Sequence, residues 1–174
     1  GEVTVAGHID AAGNHTGGDI AVTGRVVTQT ETARVDASAA IQGGEVALDA
    51  SETMTVAGTV LSEGGYGTGG EVAVTGQSIH IDDSARISAD GATAGGRLRI
   101  GGDFQGRDTG LREADSLRVE AGAVLSADAT GENGSVGGDG GTVIAWANED
   151  TIFLGDASAK ARGAVGNGGL IEIS

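Results

Sequence analysis

The chain has 174 residues, a length typical of one domain, and its formal charge of −15 disfavours binding to nucleic acid or to anionic membrane surfaces. It contains 34 glycines but no cysteine and no proline, so a disulfide scaffold and a thiolate metal site are excluded. The absence of a Gly-X-Y triplet excludes collagen, and the many β-branched residues argue against disorder. No apolar run reaches the length of a membrane span, so we expect no membrane insertion.

A glycine followed by an alternating apolar run recurs along the chain. It reads GDIAV (18–22), GEVAL (44–48), GEVAV (70–74), GRLRI (96–100), GTVIA (141–145) and GLIEI (169–173). Successive copies are 26, 26, 26, 45 and 28 residues apart. Alternation with a period of two is typical of β-strands, and a fixed spacing is typical of repeat proteins.

Two further short runs occur in each repeat. One reads GHIDA (7–11), ARVDA (33–37), GTVLS (58–62), ARISA (85–89), AVLSA (123–127) and DASA (156–159). The other reads MTV (54–56), IHI (79–81), LRV (117–119) and IFL (152–154). We predict an all-β fold, a right-handed parallel β-helix (β-solenoid) with three short strands per coil of about 26 residues and roughly seven coils, forming a single segment over 1–174.

Stacking of the coils would align equivalent residues into inward columns. The first predicted strand supplies two columns, and the third supplies another with Ala or Ser two positions on. The columns are Ile20, Val46, Val72, Leu98, Val143 and Ile171; Val22, Leu48, Val74, Ile100, Ala145 and Ile173; and Ile9, Val35, Val60, Ile87, Leu125 and Ala157. Such a narrow interior favours small and aliphatic side chains, which fits the low aromatic content.

Paired glycines precede the first strand of most repeats. In GGDGGTVIA, Gly140 and Gly141 correspond to Gly17–Gly18, Gly43–Gly44, Gly69–Gly70 and Gly95–Gly96. We interpret them as a corner where glycine permits positive φ and close stacking, rather than as a phosphate-binding loop, which would require a following helix.

The 45-residue repeat carries two predicted insertions, at 101–116 and 128–140, which are common places for function in solenoids. A basic cluster surrounds the first insertion. In one interpretation these arginines balance an acidic rod, with Arg97 facing Glu71 one coil below. In the other, they form a recognition patch for an anionic glycan or protein. The cluster comprises Arg97, Arg99, Arg107, Arg112 and Arg118, and Phe104 lies in the same insertion.

Trp146, the single tryptophan, follows a predicted inward alanine, so alternation places it outside together with Ile144. An exposed Trp–Ile pair could be a platform for stacking sugars. It could equally pack beneath the insertion. The possible ligand-binding residues are therefore Arg97, Arg99, Phe104, Arg107, Arg112 and Trp146.

Catalytic carboxylates and metal sites have weak support in the sequence. Asp10 and Asp36 occupy equivalent outward positions, but the series continues with Leu61, and Asp82–Asp83 forms a polar corner without matching acids. GGDGGTVIA matches the calcium-binding nonapeptide in part only, since Thr142 replaces its aspartate and no tandem copy follows. We predict no catalytic residue, no cofactor and at most incidental Ca²⁺ binding.

The last third of the chain resembles a known family. LRIGGDFQG (98–106), VLSADATGENGSVGGDGGTVIAWANEDTIFLGDASAKARG (124–163) and GNGGLIEIS (166–174) resemble the repeat region of filamentous-haemagglutinin-like exoproteins, large adhesins that Gram-negative bacteria export by two-partner secretion. Residues 1–89 resemble it more loosely.

The resemblance implies a secreted, cell-surface location and a β-helical shaft used in attachment to surfaces, cells or biofilm matrix. Its partners would be an extracellular glycan or a surface receptor of host or bacterium, and an outer-membrane transporter contacted through a region not in this chain. We expect this stretch to be an excerpt from a longer rod, without the amino-terminal secretion domain and without enzymatic activity. The alternative is a carbohydrate-active β-helix protein, either a polysaccharide lyase-like enzyme or a glycan-binding segment.

Overall fold

The structure is a computed structural model that describes residues 1–107, 110–131, 137–163 and 166–174. Within these residues it contains sixteen strands and one short 3-10 turn, Phe104–Gly106. The strands are β1 (Glu2–Val5), β2 (His8–Asp10), β3 (Asp19–Gln29), β4 (Arg34–Asp36), β5 (Glu45–Val56), β6 (Thr59–Leu61), β7 (Glu71–Thr75), β8 (Ser78–Ile81), β9 (Arg86–Ser88), β10 (Arg97–Ile100), β11 (Ser116–Val119), β12 (Val124–Ser126), β13 (Thr142–Ala145), β14 (Asp150–Phe153), β15 (Asp156–Ser158) and β16 (Leu170–Ile173). No helix in the described ranges is long and apolar enough to cross a membrane.

The strands form two sheets, and neighbouring strands within each sheet are parallel. The major sheet has ten strands and contains the first two predicted strands of each repeat. The minor sheet has six strands, in the order β15-β12-β9-β6-β4-β2, and contains the third. The chain therefore winds as an all-β parallel solenoid, as the sequence predicted.

Strand pairing reproduces the sequence repeat residue by residue. Asp19 pairs with Glu45, Glu45 with Glu71, and Glu71 with Arg97. Arg97 then pairs with Thr142, across the 45-residue repeat, and Thr142 pairs with Leu170. The predicted columns are confirmed as ladder neighbours because each repeat enters the major sheet in the same register.

Two repeats depart from the pattern of three separate strands. Asp19–Gln29 and Glu45–Val56 are continuous strands that merge the first and second predicted strands. The register between them shifts between Gly24 and Val26, where β5 carries one extra residue. A β-bulge, which bends a strand without ending it, thus replaces the predicted corner here.

The inward columns form one aliphatic core. Val46, Val72, Leu98 and Val143 are fully buried, and so are their counterparts in the minor sheet, Val35, Val60, Ile87 and Leu125. At the two ends the columns are more open, since Ile9 and Ala157 are half-buried and Ile171 and Ile173 are exposed. The alternation in sequence predicted the inward face correctly because a period of two fixes the side of a strand.

The paired glycines are required for close stacking and not for positive φ. A Cβ on Gly140 would lie 2.0 Å from the Ala159 carbonyl oxygen, and one on Gly141 would lie 2.0 Å from the Gly96 carbonyl oxygen. Neither residue is among the glycines with positive φ, so that part of the sequence interpretation is wrong. The corner admits only glycine because backbone atoms of adjacent repeats occupy the space of a side chain.

The 45-residue repeat has two long connections between its strands. The first leaves β10 after Ile100 and returns at β11, and the second lies between β12 and β13. Residues 108–109 of the first and 132–136 of the second lie outside the described residues.

Candidate functional site

The first insertion folds back across the outer face of the major sheet. We call its described residues, 101–107 and 110–115, the strap. The backbone N–H of Gln105 donates to Glu172 Oε2 at 3.3 Å, on β16. Arg112 Nε lies 3.3 Å from Asp49 Oδ1, on β5. In the sheet β7, β10 and β13 lie between β5 and β16, so the strap reaches across five strands.

Trp146 lies against the glycines of the strap. A Cβ on Gly102 would be 2.8 Å from Trp146 Cδ1, and one on Gly106 would be 3.6 Å from Cζ2. The indole nitrogen is shielded from solvent and has no acceptor among the described residues. Trp146 is thus half-buried beneath the insertion, which was one of the two interpretations of the sequence.

The predicted exposed Trp–Ile pair does not exist, because the strap covers the neighbouring outward residues. Ile144 is 1% exposed and Ala73 is 7% exposed, although alternation places both on the outer face. The side chain of Arg99 is 12% exposed and forms an ion pair with Glu71. A second, small buried layer therefore lies outside the solenoid core, between the sheet and the strap.

The predicted position of Arg97 beside Glu71, one repeat below, is confirmed by the strand register. The two residues are ladder neighbours, as expected, but the Glu71 carboxylate binds Arg99 instead. Arg97 is exposed at the edge of the groove that the paired glycines form. Arg99 is largely buried beneath the strap, and a buried charge is costly unless an opposite charge is paired with it. The Glu71 carboxylate therefore binds Arg99 rather than the exposed Arg97.

Phe104 and Arg107 form a unit on the strap. The Arg107 guanidinium lies 5.2 Å from the centre of the Phe104 ring, and it donates to Gln105 Oε1 at 2.6 Å. Gln105 is the one described residue other than glycine with positive φ, at 53°. Such backbone strain persists only where the surroundings enforce it. Here the contacts of Gln105 with Glu172 and Arg107 hold it.

The basic cluster predicted from the sequence is therefore divided among separate environments. Arg99 is held under the strap, Arg112 is tied to Asp49, and Arg107 lies over Phe104. Arg118 lies on β11 and donates to both oxygens of Glu120. Hydrogen bonds from Arg118 lower the pKa of Glu120, burial opposes this, and His80 adds to the lowering.

The carboxylates considered for catalysis do not converge. Asp10 and Asp36 are ladder neighbours, but Asp36 binds Arg34 Nη2 at 2.5 Å and the Ser38 N–H at 2.9 Å. Asp82 raises the pKa of its neighbour Asp83 through a hydrogen bond and charge repulsion. In the described part of the chain no three His, Cys, Asp or Glu side chains are grouped as metal ligands. Asp139, in the partial calcium motif, accepts two hydrogen bonds from Asn167.

A ladder of serines and carboxylates, which the sequence analysis missed, follows the minor sheet. Ser88 Oγ donates to Glu63 Oε1 at 2.6 Å, Ser126 donates to Asp90, and Ser158 Oγ donates to Asp128 Oδ2 at 3.0 Å. Each serine thus binds the acid of the preceding repeat. The signal was the recurring Ser-Ala-Asp in SADG (88–91) and SADA (126–129).

Comparison with known proteins places the fold. No protein-family model matches the chain, and no curated protein matches it. Among solved structures, the chain is similar to the crystal structure of the HMW1 secretion domain from Haemophilus influenzae, with a TM-score of 0.81 and 23% identity. The match covers 99% of this chain, which spans 44% of the length of that solved chain. At this identity, the likeness shows a shared fold.

Proposed function

We propose that the chain is a segment of the shaft of a large secreted bacterial adhesin. It acts as a rigid, non-enzymatic spacer, built as a right-handed coil with three strands per turn and roughly seven turns. Its location is the bacterial cell surface, and the parent protein reaches an outer-membrane transporter through a region outside this chain. Support comes from the resemblance of residues 90–174 to filamentous-haemagglutinin-like repeats.

The observation that carries this proposal is the uninterrupted stacking of repeats. Parallel ladders run from β1 to β16, and the same aliphatic columns are buried in the central repeats. Each repeat contacts its neighbours, so bending the rod would break several backbone hydrogen bonds and open the core at once. A stiff spacer needs those properties and needs no cleft.

Several observations favour a non-enzymatic role. The outward carboxylates that could serve catalysis are occupied by partners within the chain, as Asp36 is by Arg34 and Ser38. Glycosidases require two convergent carboxyl groups separated by the space of the scissile bond. We therefore propose neither a catalytic residue nor a cofactor.

Any ligand at the strap would use its exposed side chains. Arg107 and Arg112 are exposed there, Phe104 is half-buried, and Arg97 is exposed nearby. An anionic glycan or an acidic surface receptor fits this chemistry better than a neutral one, since guanidinium groups bind carboxylates and sulfates bidentately. Arg99 and Trp146 would support the strap from beneath.

A second candidate is a portion of a secretion domain, which the sequence analysis expected to be missing. The specific observation in its favour is that 99% of the chain is matched by the HMW1 secretion domain. In this alternative the coil would act during export rather than as a spacer.

An in-frame deletion of these 174 residues in the parent protein, expressed in its own bacterium, distinguishes the two. For a shaft segment, we expect the shortened protein still to reach the cell surface, with a shorter rod in electron micrographs and weaker attachment. Loss of export, with the protein retained in the periplasm, would contradict the shaft and support the secretion domain. A deletion of equal length elsewhere in the rod is the matched control.

A further inference from the structure

The corners that lead from the minor sheet to the first strand of the next repeat form one edge of the solenoid. In four successive repeats these corners are residues 13–17, 39–43, 64–69 and 91–95. None of these residues is Asp, Glu, Lys or Arg, although the whole chain has 25 acidic and 10 basic residues. We call these four corners the corner edge. It is an uncharged line on a strongly acidic molecule.

Backbone bridges hold the corners of this edge in register. Two parallel series of bridges do so: Gly13, Ala39, Gly64 and Gly91; and Thr16, Gln42, Thr68 and Ala94. Adjacent repeats lie about 4.8 Å apart, so the edge is a continuous surface roughly 14 Å long. It therefore presents its side chains from one fixed backbone rather than from independent loops.

The third corner is one residue longer than the others, and it carries the tyrosine. Two residues separate the bridged positions in the other corners, as Ala40 and Ile41 do, whereas residues 65–67 separate them here. The Tyr66 N–H donates to the Ala40 carbonyl at 2.6 Å, and a Cβ on Gly67 would lie 3.3 Å from Ile41 Cγ2. The longer corner thus packs on its neighbour, so the tyrosine and Ile41 lie on adjacent corners.

The corner edge carries an exposed apolar pair. Tyr66 is 57% exposed and Ile41 is 41% exposed. The other exposed large apolar side chains of the described residues lie near the end of the chain: Ile152, Leu154, Leu170, Ile171 and Ile173. Thr16, Gln42 and Thr68 are uncharged, polar and exposed on the same edge. An apolar centre with a polar rim and few charges is the composition of a protein interface.

The charge of the chain indicates which partner meets this edge. With a formal charge of −15, two copies repel each other where their carboxylates face. Asp19 and Glu45, for example, are ladder neighbours that are both exposed on the outer face of the major sheet. A cationic partner would be drawn to such a face. A second copy is repelled by it and can approach closely only where charge is absent, as it is along the corner edge.

We propose that two copies of the chain pair along the corner edge, with Tyr66 and Ile41 of each copy at the centre of a twofold contact. Both copies use the same patch in such a contact, so the pair is closed and no open array forms. The apolar centre is small, and the pairing is therefore weak and reversible. This contact is separate from the strap, and it does not depend on the shaft proposal.

Sedimentation equilibrium of the purified chain over a range of concentrations tests the pairing. We expect a monomer–dimer equilibrium. The dimer should be stronger at about 1 M salt than at about 0.01 M, since the Debye length falls from about 30 Å to about 3 Å and repulsion between the copies is screened. Tyr66→Glu and Ile41→Glu should each weaken the dimer about tenfold or more, because the added carboxylates of the two copies would face each other.

Thr53→Glu is the matched control. Thr53 is exposed on β5, outside the corner edge, and its substitution adds the same charge to a different face. At about 1 M salt, where the general effect of one more charge is screened, its dimer should be as strong as that of the wild type. Circular dichroism of the three variants verifies that each keeps the fold. Since Tyr66 and Ile41 are both exposed, either variant alone suffices if the other perturbs folding.

Three results would overturn the proposal. One is a monomer at every concentration and salt, whether or not an oligosaccharide array then shows that a sugar binds the edge. Another is equal dimerisation of the wild type, Tyr66→Glu and Ile41→Glu, which would place the contact elsewhere, as at the exposed Ile171 and Ile173. The third is a dimer that weakens as salt rises, which would show that opposite charges rather than an uncharged edge hold it.

Discussion

Glycine has two different roles at neighbouring positions of the same repeat. Gly69 belongs to the column of paired glycines, where a Cβ would lie 1.9 Å from the Ala89 carbonyl oxygen. For a Cβ on Gly65, four residues earlier, the nearest described atom is the Ala40 carbonyl oxygen, 3.5 Å away. The space around the Cβ position, rather than glycine content as such, therefore decides what a substitution does.

Gly69→Ala should destabilise the chain by about 1–3 kcal/mol because a backbone carbonyl cannot move away as a flexible side chain can. Gly65→Ala should instead be neutral or stabilise by up to about 1 kcal/mol, since it removes freedom from the unfolded chain. Urea denaturation followed by circular dichroism measures both. Equal effects of the two substitutions would contradict the role assigned to the glycine column.

The lowered pKa of Asp36 predicts that the free energy of unfolding depends on pH. Burial alone would raise the pKa of this carboxyl, but hydrogen bonds from Ser38 and the ion pair with Arg34 outweigh it and lower the pKa below 3.8. A lowered pKa in the folded state adds stability above the unfolded value, and this is lost as the pH falls through the folded value. Asp36→Asn should therefore reduce the free energy of unfolding near neutral pH, and by progressively less as the pH falls through the lowered pKa of Asp36.

Urea titrations of wild type and Asp36→Asn across that range provide the test. A stability difference that stays constant as the pH falls would show that the Asp36 charge contributes nothing. In that case the asparagine would act only through changed packing.

Among the elements, the strap most changes what the solenoid presents to solvent. It converts outward positions on β7, β10 and β13 into a buried layer that holds Ala73, Arg99 and Ile144. Its contacts lie far apart in sequence, since Arg112 reaches Asp49 and Gln105 reaches Glu172. The strap is therefore held by the assembled sheet and should form only after it.

Sequence reasoning succeeded where structure follows from local alternation. The inward columns and the 26-residue register depend on the period of two and on corner residues, which are visible in the sequence. The burial of Ile144 and the ion pair of Arg99 could not be predicted in this way. They depend on the path of the strap, which alternation within a strand does not encode.

The fluorescence of Trp146, the single tryptophan, shows whether the strap covers the outer face of the sheet. Since Trp146 lies under Gly102 and Gly106, we expect its fluorescence to be blue-shifted and weakly quenched by acrylamide. Gly102→Leu, whose Cβ alone would lie 2.8 Å from the indole, should shift the emission to the red and raise quenching while the far-ultraviolet circular dichroism stays the same. Gly7→Leu is the matched control, because nothing lies within 4 Å of a Cβ there. An unshifted spectrum in Gly102→Leu would show that the strap does not cover Trp146.

At the scale of the whole molecule, stability is carried by contacts between successive repeats. Parallel pairing joins each strand to its equivalents in the adjacent repeats, and the core columns have the same neighbours throughout. In such a linear array, the cost of a core truncation depends on whether repeats lie on both sides of it. A central column residue and a terminal one in the same column should therefore differ although their chemistry is alike.

Leu98 and Ile171 permit this comparison within one column. Leu98 is fully buried between Val72 and Val143, whereas Ile171 pairs with Val143 and is 43% exposed. Leu98→Ala should lower the free energy of unfolding by about 2–5 kcal/mol, since the lining of the resulting cavity relaxes only in part. Ile171→Ala in the same 174-residue chain should cost roughly half of that or less, because much of its side chain already contacts water. Thermal and urea unfolding of both variants provide the measurement, and equal losses would show that the columns do not stabilise the solenoid by stacking between repeats.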